Sequence, residues 1–244
     1  MSDFGALCLT AAAIGFVHTL AGPDHYVPFV AMSRIGNWST RKTTIVTLLC
    51  GLGHVGGSVV LALLGVAWGL AVMELETIDA HRGDVAAWML IGFGLAYLSW
   101  GLWTALRDRR HTHLHVHGDG TVHTHTHSHQ GEHLHVHQAS KATNAAIARH
   151  KGGMGPWVLF TIFLFGPCEA LIPLVMYAAA RGSWWNVASV TTFFGTATLA
   201  TMTAAVLVLR TGLTAFWPVH WHRFSRAAAG LLILACGVAV KSGL

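Results

Sequence analysis

Six long apolar stretches set the pattern of the chain: 5–32, 45–72, 85–106, 156–180, 187–209 and 217–240. Short polar segments separate them. A helix crosses a bilayer with about 20 predominantly apolar residues, so each stretch predicts a transmembrane helix. The last has the shortest purely apolar core. The first lacks the basic start of a signal peptide, carries Asp3 and holds His18 inside its apolar run, so it reads as a retained span.

Two of the six stretches are interrupted in the same way. Residues 22–30 read Gly-Pro-Asp-His-Tyr-Val-Pro-Phe-Val, and residues 166–175 read Gly-Pro-Cys-Glu-Ala-Leu-Ile-Pro-Leu-Val. Proline inside a helix removes a hydrogen bond and clashes with the preceding turn. Pro23 with Pro28, and Pro167 with Pro173, are therefore expected to open spans 1 and 4 near their middles. Opened backbone at membrane depth survives where protein or a water-filled cavity surrounds it, so the two breaks are expected to face each other at the bundle centre. The spans that follow, 2 and 5, are rich in small residues at 51–58 and 194–201, which lets helices approach closely in lipid. The fold expected is an all-α integral membrane protein: six transmembrane helices as two inverted three-helix repeats, with broken first and fourth helices. Its parts are a first repeat, 1–110, a His-rich cytoplasmic loop, 111–151, and a second repeat, 152–244. Broken helices at matching places in two halves point to a transporter's binding site.

Composition agrees with the pattern. The apolar fraction is 53%, the charged fraction 10% and the mean hydropathy +0.53, whereas soluble domains carry about 25% charged residues. Twelve of the fifteen basic residues follow spans 1, 3 and 5; Arg82, Arg181 and Lys241 lie on the other side with Glu74, Glu76, Asp79 and Asp84. The positive-inside rule makes the first set cytoplasmic and both termini extracytoplasmic. A bacterial inner membrane is the expected location. The basic balance thus reports topology, and no nucleic-acid partner is expected. Most of the ten Trp fall near span ends, as interfacial anchors do. Cys8, Cys50, Cys168 and Cys236 lie within spans and form no CxxC pair, so no disulfide framework is expected.

Ionisable groups inside spans are costly and mark function. Here they are His18, Asp24, His25, His54 and Glu169, with Cys168 as a thiolate candidate. His18 and His25 are seven apart, which puts them on one helix face. Glycines beside His54 leave room for another helix or an ion. Imidazole and carboxylate suit nickel, cobalt, zinc or iron(II) better than magnesium or calcium. Taken singly, any of these side chains also fits a hydrogen bond to a neighbouring helix. The loop after span 3 adds His111, His113, His115, His117, His123, His125, His127, His129, His133, His135 and His137. Such tracts bind transition metals. With little apolar mass to fold it, this loop is expected to lack fixed structure without metal.

The run His18-Thr-Leu-Ala-Gly-Pro-Asp-His25 resembles the first-helix signature of the nickel/cobalt permeases, in which a His precedes an Asp-His pair. Gly53-His54 resembles the Leu-Gly-His motif of their next helix, and Leu164-Phe165-Gly166 with Glu169 resembles a later one. A mid-chain His-rich loop is similar to their efflux branch. The Gly-Pro-Cys break resembles the wider superfamily of lysine exporters, urease-accessory membrane proteins and disulfide-relay electron transporters. The His-to-Asp spacing is one residue longer than in the uptake permeases. The resemblance implies His18, Asp24, His25 and His54 as ion-pathway residues; Cys168 and Glu169 rest on the repeat.

These signals predict a secondary transporter, not an enzyme. Its substrate would be a divalent transition metal ion, nickel or cobalt first, with zinc or iron as alternatives. The ion would bind at a midplane site of His18, Asp24, His25, His54, Cys168 and Glu169. Asp24 or Glu169 is also a candidate proton carrier, and a cytoplasmic metallochaperone a candidate partner. Two rival expectations stand beside it. One is a membrane metal-accessory protein for urease or hydrogenase assembly. The other is a thiol–disulfide electron carrier, which would need a second cysteine where the first break has Asp24.

Overall fold

The computed structural model describes residues 3–107, 111–116, 122–127, 155–212 and 224–243. The helices are α1 (Asp3–Ala21), α2 (Val27–Ile35), α3 (Thr40–Trp68), α4 (Val72–Arg107), α5 (Gly155–Phe165), α6 (Leu171–Ala180), α7 (Trp184–Gly212) and α8 (Ser225–Ser242). A 3₁₀ turn, Pro23–His25, lies between α1 and α2. Strands β1 (His111–Val116) and β2 (Val122–His127) pair antiparallel.

Helices α1, α3, α4, α7 and α8 are each long and apolar enough to cross a membrane, as an integral membrane protein requires. The stretch at 156–180 is instead split into the two short apolar helices α5 and α6. The other broken stretch divides unevenly, with 19 residues in α1 and 9 in α2, so its break lies well past the expected midpoint. Only one proline of each pair does the breaking. Pro28 sits in the first turn of α2 and Pro173 is the third residue of α6. There a missing N–H costs nothing, because first-turn donors have no intrahelical partner. Helix α4 runs 36 residues and takes in Glu74, Glu76, Asp79 and Arg82, which the charge pattern assigns to an external loop.

Local chemistry fixes several boundaries. Ser39 caps α3, its hydroxyl accepting from the Lys42 N–H at 3.2 Å. Gly69 ends the same helix in the left-handed region at φ 66°, where glycine carries no Cβ penalty. Between β1 and β2 lie two glycines (118 and 120). The strands themselves alternate His with Thr, Leu or Val, a period-two pattern rich in branched residues that favours a ladder over the unstructured loop expected.

Packing is by pairs. Helix α1 lies on α7, α3 on α5, and α4 on α8; α2 touches α7 and α8, and α6 touches α3 and α7. The α4–α8 pair is antiparallel along a glycine seam. A methyl group added at Gly94 or Gly101 would strike the backbone of Leu234 or Ala227, and one at Gly230 or Gly237 the backbone of Leu98 or Ile91. Close backbone approach supplies van der Waals contact where lipid removes the hydrophobic drive between helices. Two apolar clusters result. One gathers Phe29, Met32, Leu159, Phe163, Met202 and Ile233; the other gathers Leu75, Leu171, Ile172, Val175, Val190 and Phe194. Rings at their border, Phe163 and Phe194, meet the imidazoles of His54 and His18.

Candidate metal centre

The first break is built from local bonds. Pro23 has no N–H to continue α1, so the chain turns tightly: the His25 N–H donates to the Gly22 carbonyl at 3.1 Å and the Tyr26 N–H to Pro23 at 3.2 Å. This turn carries Asp24 and His25. Gly22 is required by closeness, because a Cβ there would lie 2.6 Å from His25 Nδ1.

His25 is 3% exposed. Its Nδ1 stands 3.1 Å from the Gly22 carbonyl and 3.2 Å from Asp24 Oδ1. Both partners only accept, so Nδ1 carries the proton and donates to them. In the neutral ring the lone pair is then on Nε2, which is buried with no hydrogen-bond partner among the described residues. Asp24 thus orients His25 as an outer partner orients a metal-ligating imidazole.

Two more imidazoles converge on this ring. His18, from α1, meets it edge-on at 4.9 Å between centroids, and His54, from α3, at 5.0 Å. Both nitrogens of His54 are buried and unpartnered among the described residues. Its ring lies against Gly166 of the second break, where an added Cβ would come 2.9 Å from Nδ1. Cys168, fully buried, places Sγ 4.0 Å from His18 Nε2. Ligand atoms of His18, His54 and Cys168 all lie within 4.8 Å of one another. Small side-chain movements would bring them onto one ion at the roughly 2.0–2.3 Å bond lengths of imidazole and thiolate ligands.

The six predicted site residues therefore divide. His18, His54 and Cys168 bring their ligand atoms together, and the His25 ring packs against both imidazoles without joining that group. Asp24 acts on His25. Glu169 is exposed and stands outside the cluster. Of the loop histidines, the strand register sets His111 opposite His127, His113 opposite His125 and His115 opposite His123. His117, His129, His133, His135 and His137 lie outside the described residues.

Two residues that sequence reasoning left out hold the second break. Asp79 Oδ2 accepts from the Cys168 N–H at 3.2 Å, and Arg82 Nη2 donates to the Leu164 carbonyl at 3.1 Å. Arg82 Nη1 also donates to Asp79 Oδ1 at 2.6 Å and to Ser58 Oγ at 3.4 Å. The signal available was an acid and a base three apart, followed by Gly83, on one helix face. Their place in an acidic segment outside the predicted span concealed it.

Chemically, imidazoles with one sulfur form a borderline-to-soft donor set suited to late first-row metals, and unsuited to magnesium or calcium. All four cysteines are free and buried. No family model matches the chain, and neither a curated protein nor a solved structure matches it.

Proposed function

We propose that this protein is a secondary transporter for a divalent transition metal ion, nickel or cobalt first, bound where the two helix breaks meet. One observation carries the reading: among the described residues His25 Nε2 and both nitrogens of His54 are buried without hydrogen-bond partners, and ligand atoms of His54, His18 and the free Cys168 lie within 4.8 Å of one another. Unpaired buried polar groups cost several kcal/mol in an apolar medium, so in a native bundle they call for a ligand. A metal ion supplies one that accepts imidazole lone pairs and thiolate together.

Alternating access follows from a two-fold internal repeat. In this reading α1 corresponds to α5, α2 to α6, α3 to α7 and α4 to α8. The packing supports it, because the pairs exchange under that correspondence: α1 on α7 answers α5 on α3, α2 on α8 answers α6 on α4, and α4 on α8 maps to itself. Helices α3 and α7 are each 29 residues long. With three spans per unit, the second copy enters the membrane from the other side, and the halves rock about the central ion. The charge asymmetry supports a cytoplasmic position for the His-rich segment, where it would collect or release metal.

Cobalt(II) titration of the purified full-length protein tests the site. His25→Ala should remove the absorption bands of a tetrahedral His/Cys cobalt centre while leaving a folded, monodisperse protein. Unchanged bands would overturn the assignment. Deleting 111–137 separates transport from an accessory role: flux in proteoliposomes should persist with altered affinity, whereas an accessory protein would lose its function.

A further inference from the structure

Leu164 and Cys168 are four residues apart, so in an unbroken helix the Cys168 N–H would donate to the Leu164 carbonyl. Pro167 disrupts that turn, and the two groups have separated. Each has acquired a side chain in place of the other. The N–H of Cys168 donates to Asp79 Oδ2, the carbonyl of Leu164 accepts from Arg82 Nη2, and Arg82 closes the circuit onto Asp79 Oδ1. An ion pair from α4 thus occupies the place of one missing helix hydrogen bond. The fit is close on all sides. Asp79 is fully buried and the Arg82 side chain 18% exposed. Gly83 lies against the Pro167 ring and Gly57 against the Arg82 guanidinium, and a Cβ at either would clash.

We propose that Asp79 and Arg82 are positioning residues that hold the second break open and thereby set where the Cys168 sulfur stands in the metal cluster. The inference deepens the transport reading and rests on it. The pair acts as a unit, because removing one member leaves the other charged and buried without its partner. Neither residue reaches the ligand atoms of His18 or His54. Their effect on metal passes through the backbone of residues 164–168. Movement of α5 and α6 relative to α4 requires the bonds from the pair to Cys168 and Leu164 to break, so the pair also biases which arrangement the second half adopts.

The test uses the full-length chain with Cys8, Cys50 and Cys236 replaced by alanine, leaving Cys168 as the single thiol. Metal-free protein is labelled with a small maleimide, and the same variants are titrated with cobalt(II). Asp79→Ala should speed labelling of Cys168 about tenfold or more, because local opening exposes a thiol that is otherwise buried. Asp79→Asn keeps the side-chain shape and Arg82→Gln keeps a shorter polar side chain; both guard against a failure of Asp79→Ala to fold and should give a smaller rise. In cobalt, the thiolate charge-transfer band should fall in all three while the imidazole-ligated d–d bands remain. Labelling that stays at the parent rate in the folded variants overturns the proposal. If the parent protein takes up no cobalt, the metal reading fails by itself, and the labelling rates still decide the role of the pair.

Discussion

At the first break the chain holds itself: a 3₁₀ turn bonds Gly22 to His25 and Pro23 to Tyr26, and Asp24 steadies the ring beside it. At the second, residues 164–168 are held from a distance, by Asp79 and Arg82 of α4. The first break contributes both His25 and the acid that orients its ring. The second break contributes one sulfur and turns its acid, Glu169, outward. Similar sequence interruptions thus differ in how they are held: one is closed by its own local bonds and places His25 with Asp24, and the other depends on a neighbouring helix.

The largest effect that would break this contrast lies at the second break. Asp79→Ala should destabilise the protein by about 3–5 kcal/mol, the usual result of leaving a buried partner unpaired. Asp79→Ala/Arg82→Ala should cost less than the sum of the single changes, because each single change leaves the other charge buried without its partner and the double change does not. Unfolding in mixed micelles measures both, and additive losses would break the coupling. Next comes His25→Ala, expected to weaken cobalt binding by more than about a hundredfold, since even outer-partner changes cost 10–100-fold. Asp24→Asn retains an oxygen for His25 but loses the charge, and should weaken binding by about tenfold, within the usual range for such outer partners. Equal losses from Asp24→Asn and His25→Ala would make Asp24 a ligand in its own right. The smallest effect is expected at Glu169. Replacement by Gln should shift affinity by no more than about 0.5 kcal/mol, as surface substitutions usually do. A large loss there would place the second break's acid in the ion path and restore symmetry between the halves.

Much of this arrangement was legible along the chain, and for physical reasons. Prolines and ionisable groups are rare in apolar spans, so Gly22-Pro23, Gly166-Pro167, His18, His25 and His54 stood out against their surroundings. What tertiary structure alone decides did not. Asp79 and Arg82 lie in a charged segment that hydropathy reads as loop, and burial turns it into part of a helix. Pro28 and Pro173 looked like breakers because sequence does not reveal that each falls in the opening turn of a new helix. Glu169 adjoins Cys168, but in helical or turn backbone neighbouring side chains diverge, so one faces the cluster and the other does not. The strand pair was hidden by composition: eleven histidines suggested solvation, while the residues between them carried a strand's period.

Metal flux into proteoliposomes tests the central claim most directly. Nickel, cobalt and zinc would be compared for wild type, His25→Ala and Cys168→Ser at matched protein insertion. The account predicts saturable flux of nickel or cobalt that His25→Ala abolishes and Cys168→Ser reduces. Flux of no metal, or flux indifferent to both substitutions, would contradict it.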